Sequence, residues 1–234
     1  MRTVAVVLAA GSGQRFGTAV PKQLLPLAGR TLLEHSVAAF EQAPGVDAIL
    51  VVVAPGQRSQ VGTLLAAGGY RKLAGVIEGG LARPDSTRRA IAELGPGECD
   101  VLFHDAARPL LDQATIAGCV HALDTYEAVG VAVPTSDTIV EVEDGLMTGM
   151  PHRDTLRRCQ TPQGFRLSVI RKAHELALAD PAFADLTATD DCGVVLRYLP
   201  DVPVAVVPGS ERNIKITYPG DLTIAEVLLS DGGR

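Results

Sequence analysis

Residues 8–17 read LAAGSGQRFG and residues 20–23 read VPKQ, a glycine-rich stretch behind an apolar run with two basic side chains, Arg15 and Lys22. Glycines at such a turn let backbone amides approach a phosphate chain without interference from a Cβ, and the two cations supply charge to it. The chemistry this suits is polyphosphate binding. The spacing is neither GxxxxGK[ST] nor GxGxxG, because Gly11-Ser12-Gly13 is followed by Gln14-Arg15-Phe16, so a P-loop NTPase and a Rossmann dehydrogenase both lose ground. A second group, HDAARP at 104–109, follows another apolar run and brings out Asp105 and Arg108 at the same sheet edge. The rigid donor fork of Arg108 suits a phosphate or a polyol hydroxyl. Gly79, Gly80 and Ser86 lie between a strand and a helix, at the carboxyl edge where open α/β sheets bind ligands. Ser86 also reads as a cap for a helix over 87–94.

Positioning these groups is the task of an alternating pattern. Runs rich in β-branched residues at 3–8, 48–53, 74–78, 100–104 and 130–134 read as strands buried on both faces, hence a mostly parallel sheet. Between them, 31–43, 84–94 and 115–127 carry apolar residues at helical spacing. The pattern breaks after Pro134. Residues 135–160 hold two short runs around Asp144-Gly145, a hairpin signal, followed by an arginine-rich cluster, and predict a protruding β-arm that packs on a neighbour. Helices at 167–179 and 190–198, a strand at 202–207, a short strand at 213–217 and a helix at 219–229 complete the reading. The fold class is α/β: one Rossmann-like domain over 1–234, with helices on both faces of the sheet.

Composition narrows the function classes. With 234 residues, 47% hydrophobic and 21% charged, the chain is globular and large enough to bury a core. Its apolar runs are too short for a membrane span, and MRTVAVVLAA at the start reads as a first strand rather than a signal peptide. A net charge of −6 argues against a general nucleic-acid binder and leaves small anions as ligands. Cys99, Cys119, Cys159 and Cys192 lie at least 20 residues apart, and the five histidines show no HExxH spacing, so no structural metal is expected. The thiols fit a cytoplasmic protein.

Several further segments carry a resemblance. EGGLARPDS at 78–86, HDAARP at 104–109, PTSDT at 134–138, HRD at 152–154, QTPQGF at 160–165, TDD at 189–191 and NIKIT at 213–217 stand in order behind the AAGxGxR and PKQ elements. Together they resemble the 2-C-methyl-D-erythritol 4-phosphate cytidylyltransferase family, a CTP-using branch of the sugar and polyol phosphate nucleotidyltransferases, from Val6 to about Leu228. The resemblance implies transfer of CMP from CTP to the polyol phosphate, giving 4-diphosphocytidyl-2-C-methyl-D-erythritol and pyrophosphate, with Mg2+ carried by CTP. The related ribitol-5-phosphate cytidylyltransferases, which share HDAxRP and TPQ, are the alternative; a non-catalytic nucleotide sensor is remoter.

The resemblance implies catalytic roles for Arg15, Lys22, Arg153 and Lys215, and nucleotide binding by Ala9, Ala10, Gly11, Gly13, Gly79, Gly80 and Ser86. It implies substrate binding by Asp105, Arg108, Thr138 and Thr161. For Asp105 two roles stand open, accepting from the acceptor's hydroxyls or approaching the magnesium ion. Leu81 stands where the family often has an acid. The arm, taken to carry Thr138, Arg153 and Thr161, is expected to reach the partner subunit's site in a homodimer. TDD reads as a helix start, in which caps and first-turn acids need no catalytic role.

Overall fold

The structure is a computed structural model that describes residues 1–11, 16, 20–185 and 190–231. In chain order it contains β1 (Thr3–Ala9), β2 (Pro26–Leu27), β3 (Arg30–Thr31), α1 (Leu32–Gln42), β4 (Ala48–Val53), α2 (Arg58–Ala67), β5 (Leu73–Glu78), α3 (Arg83–Glu93), β6 (Asp100–Asp105), α4 (Gln113–Leu123), β7 (Ala128–Pro134), β8 (Glu141–Glu143), β9 (Leu146–Gly149), β10 (Arg157–Arg166), α5 (Leu167–Ala179), α6 (Asp191–Tyr198), β11 (Val204–Pro208) and α7 (Pro219–Asp231). Seven strands form one sheet in the order β11-β7-β10-β6-β1-β4-β5. All neighbours pair in parallel except β10, which runs antiparallel to both β6 and β7.

Alternation along the central strands divides the core between two layers. Ala5, Val7, Ile49, Val51 and Val53 face Leu33, Val37, Phe40 and Leu65 of α1 and α2 and Ile116 of α4. Their neighbours Val4, Val6, Leu50, Val52, Val101 and Phe103 face Ile91 of α3, Ile170 and Ala173 of α5 and Val195 of α6. A period of two sends adjacent residues to opposite faces, which is why these strands read as continuous apolar runs. A third, smaller cluster joins Phe16, Leu27 and Leu32 to Ile216 and to Ala225 of α7.

Three expectations change. The arm is shorter than 135–160: β8 and β9 pair across Asp144 and Gly145, both at positive φ, but residues 157–160 belong to β10 of the central sheet. Thr161 therefore sits in the sheet, 4% exposed, and not in the arm. Residues 213–217 form no strand; the segment is irregular, and its Ile216 N–H donates to the Ala107 carbonyl of the loop after β6. Finally, α2, with two fully buried apolar residues, Val61 and Leu65, has no counterpart in the sequence reading.

Candidate active site

The chain runs from β1 outward to β4 and β5, then returns to the other side of β1 as β6. Loops leaving β1 and β6 consequently diverge, and the crevice between them is where open α/β sheets take ligands. Registers Leu8↔Asp105, Ala9↔Val53 and Val53↔Glu78 bring the ends of β6, β1, β4 and β5 level, so their outgoing loops share one edge. A cleft of about 360 Å3 lies there, lined by Ala9, Ala10, Gly11, Lys22, Leu81, Ala82, Arg83, Ser86, Asp105, Lys215 and Thr217 among others. Three cations face one carboxylate among the described lining residues.

The glycines of the two loops do different things. A Cβ at Gly11 would meet no atom of the described residues within 4 Å, and Gly11 lines the cleft. A Cβ at Gly79 would lie 2.4 Å from Ser86 Oγ and 3.0 Å from Ala10 Cβ; one at Gly80 would lie 2.1 Å from Asp85 Cβ. Those two glycines let the loop after β5 lean on both the β1 loop and α3. Ser86 secures it: its Oγ accepts from the Gly80 N–H at 3.2 Å and donates to the Ala82 carbonyl at 3.4 Å. As α3 begins at Arg83, Ser86 lies inside the first turn and is not a cap for a helix over 87–94. Leu81, 99% exposed, stands at the rim.

The other wall is built by β6 and the segment 213–217. Ile216 is fully buried, and its neighbours Lys215 and Thr217 line the cleft. Lys215 Nζ lies 2.7 Å from Asp105 Oδ2, and Lys22 Nζ donates to the Ile216 carbonyl at 2.7 Å. Arg108 fastens the segment from behind, with Nη1 donating to the Asn213 carbonyl at 2.8 Å and Nη2 to the Cys159 carbonyl at 3.2 Å. Both of these guanidinium nitrogens are thus occupied by protein carbonyls.

Asp105 is held from three sides. On the cleft side are Lys215 and Arg83, whose Nε lies 3.4 Å from Oδ1. Beneath it runs a buried chain. His104 Nε2 lies 3.0 Å from the Arg108 carbonyl, which only accepts, so Nε2 carries the proton and Nδ1 accepts from Thr161 Oγ1 at 2.9 Å. Thr161 Oγ1 in turn accepts from the Asp105 N–H at 3.1 Å. Burial pushes His104 down to about 4, which keeps it neutral at pH 7 and fixes this order. Burial alone would raise the Asp105 carboxyl, but Arg83 and Lys215 outweigh it and hold Asp105 well below the usual carboxylate range.

The structure thus gathers Ala9, Ala10, Gly11, Lys22, Ser86, Asp105 and Lys215 at one cleft, with Gly79 and Gly80 behind its rim and Thr161 beneath Asp105. Thr138 and Arg153 are exposed on the arm and do not line the cleft; Arg153 Nη1 donates to the Ser136 carbonyl at 3.4 Å. Gly13, Arg15 and Thr189 lie outside the described residues. Two residues at the site had no role in the sequence reading, Arg83 and Asp191, although both fall within quoted segments. Asp190 caps α6 by accepting from the Gly193 N–H, as a helix start predicts, whereas Asp191 is buried and pairs with Arg83 at 2.7 Å.

Comparison with known proteins gives this arrangement a family. The family model for 2-C-methyl-D-erythritol 4-phosphate cytidylyltransferase matches residues 3–231. The chain is 50% identical over 238 residues to the 2-C-methyl-D-erythritol 4-phosphate cytidylyltransferase of Thermobifida fusca, covering 99% of this chain and 94% of that protein. It is 37% identical to a bifunctional ribulose 5-phosphate reductase/CDP-ribitol pyrophosphorylase of Haemophilus influenzae, covering 97% of this chain and 48% of that longer protein. Among solved structures, the 4-diphosphocytidyl-2C-methyl-D-erythritol synthase of Anaerococcus prevotii superposes with a TM-score of 0.85 at 26% identity, covering 98% of this chain and 96% of that one. The chain belongs to the 2-C-methyl-D-erythritol 4-phosphate cytidylyltransferase family, enzymes that transfer a cytidylyl group.

Proposed function

We propose that the cleft joins CTP to 2-C-methyl-D-erythritol 4-phosphate, with the nucleotide along the β1 and β5 loops and the acceptor against β6 and Lys215. The observation that carries this reading is the charge arrangement: Lys22, Arg83 and Lys215 line the cleft with one carboxylate, Asp105, among the described residues, beside the Gly11 backbone. An oxygen of the acceptor's phosphate attacks the α-phosphorus of CTP. One P–O bond forms, the bond to the bridging oxygen breaks, and pyrophosphate leaves with the electron pair. A phosphomonoester is largely dianionic at neutral pH, so no proton has to be removed from it. The protein's work is positioning and neutralising charge on the α-phosphate. Lys22 and Arg15 act at the triphosphate, Lys215 steers the attacking phosphate, and Asp105 accepts from the acceptor's hydroxyls.

Magnesium enters as part of MgCTP. Asp105 contacts two cations, Arg83 and Lys215, which supports the triphosphate as the ion's main ligand. The active unit is a homodimer in which the arm crosses to the neighbour's cleft, carrying Thr138 and Arg153 to the acceptor phosphate. Its support is that Val142, Leu146, Met147 and Met150 are 60–75% exposed on the arm. The four free thiols fit a cytoplasmic enzyme.

Pyrophosphate release with each nucleoside triphosphate, offered with 2-C-methyl-D-erythritol 4-phosphate or ribitol 5-phosphate, tests the reading. Turnover is expected with CTP and the methylerythritol phosphate; preference for ribitol 5-phosphate would turn it toward the activity named for the Haemophilus protein. In the same assay exhaustive EDTA is expected to abolish release and added Mg2+ to restore it.

A further inference from the structure

Asp191 opens α6, yet it is not at the surface where a first-turn acid ordinarily sits. It is 1% exposed, and Arg83 Nη1 lies 2.7 Å from its Oδ2 while His174 Nε2 lies 3.4 Å from its Oδ1. Its backbone N–H donates to Gln163 Oε1 at 2.9 Å, so β10 fixes the start of the helix as well. Arg83 comes from the first residue of α3, immediately after the loop of Gly79 and Gly80, and half-buries a guanidinium that reaches both Asp191 and Asp105. Its Nη2 is buried and has no acceptor among the described residues, where the two carboxylates are what fix the plane of the fork. Asp105 in turn holds the Lys215 amine.

We infer that Arg83, clamped by Asp191, is a positioning residue of the reaction: it fixes the Asp105 carboxylate, and through it the Lys215 amine, at the acceptor end of the cleft. A guanidinium is suited to this because its planar fork engages two carboxylates at once, which an ammonium of the same charge cannot do with comparable geometry. Asp191 gives the buried cation a permanent partner. Without it, Arg83 would swing fully onto Asp105 and compete with Lys215 for the same oxygens. The Arg83–Asp191 pair thereby leaves Asp105 free to share itself between Arg83 and Lys215. The nucleotide side of the cleft does not depend on this chain of contacts, because the loop of Gly79 and Gly80 is tied down separately by Ser86 and by packing on Ala10.

The inference rests on the reading of the cleft given above. Arg83→Gln alone would strand a buried carboxylate, so the variant of choice is Arg83→Gln/Asp191→Asn, which removes both charges and keeps hydrogen-bonding groups in place. Turnover of MgCTP with 2-C-methyl-D-erythritol 4-phosphate is measured alongside the CTP dissociation constant by calorimetry. The paired variant is expected to lose about tenfold or more in kcat/KM for the acceptor while its CTP affinity stays within about threefold of the unaltered protein. CTP affinity falling in step with kcat/KM would make the pair a support of the fold and overturn the inference; so would an unchanged kcat/KM. Arg83→Lys keeps the charge balance, and with it the fold, and decides the matter should the paired variant fail to fold. An ammonium reaching only one carboxylate is expected to cost more than about threefold in the same parameter, and full activity would overturn the clamp. Absence of turnover in the unaltered protein would overturn the functional reading itself, a result no variant comparison can mimic.

Discussion

Lys22 and Lys215 each meet a protein acceptor, the Ile216 carbonyl and the Asp105 carboxylate, and Ile216 is the chain neighbour of Lys215. Each amine is thereby held at the cleft before any anion arrives, which lowers the entropy lost on binding. Lys22→Ala is expected to reduce kcat by at least about tenfold, the scale for losing one charge-stabilising contact. Its melting temperature is expected to move little, because the side chain is only partly buried; measured kcat above a tenth of wild type would count against the role. Thr161 offers the opposite profile. Its hydroxyl joins His104 Nδ1 to the Asp105 N–H inside the sheet, so Thr161→Val leaves two buried polar groups without partners. Chemical denaturation should show a loss of about 1–3 kcal/mol, the desolvation cost of such orphans, together with reduced turnover from a misplaced Asp105.

The elements divide into those that sequence pattern reveals and those that only tertiary partners explain. Gly80→Ala tests one of the latter: its Cβ would collide with Asp85 in the first turn of α3, so the loop must shift off α3. The KM for CTP is expected to rise by about tenfold with the acceptor's KM little changed; an unaltered KM for CTP would mean that the loop does not touch the base side of the nucleotide. The strands β1, β4, β6 and β7 were legible because burial on both faces demands unbroken β-branched runs. β10 was not, although it lies between β6 and β7 in the same sheet, because it carries Gln160, Pro162, Gln163 and Gly164. Gln163 is fully buried and tolerable only because Asp190, Cys159 and the N–H groups of Asp191 and Cys192 satisfy its amide. Ile214 and Ile216 imitate the alternation of a strand, yet the latter's backbone bonds to a loop, so 213–217 stays irregular. At the site, motifs located the cleft residues, while the Arg83–Asp191 pair, 108 residues apart, had no signature that one sequence displays.

At the scale of the whole molecule the question is whether one chain holds a complete site. Among the described residues the cleft is lined by three cations and one carboxylate, but Thr138 and Arg153 stand on an arm that leaves the sheet at Pro134 and returns at Arg157 without lining the cleft. The arm's hairpin turns tightly through Asp144 and Gly145 at positive φ and buries little of its own apolar surface, as a two-stranded ribbon awaiting a second surface would. If each arm crosses to its neighbour, an Arg153→Ala chain and a Lys215→Ala chain, both inactive alone, should regain activity when mixed and allowed to exchange subunits. A heterodimer of the two would hold one site with both defects and one with neither. Random exchange makes about half the molecules heterodimers with one intact site of two, so restored activity should approach about a quarter of wild type. Subunit exchange is followed independently by mass-tagged chains. Exchange without recovery would mean that the arm serves its own chain, since a site confined to one subunit always keeps whichever defect that subunit carries.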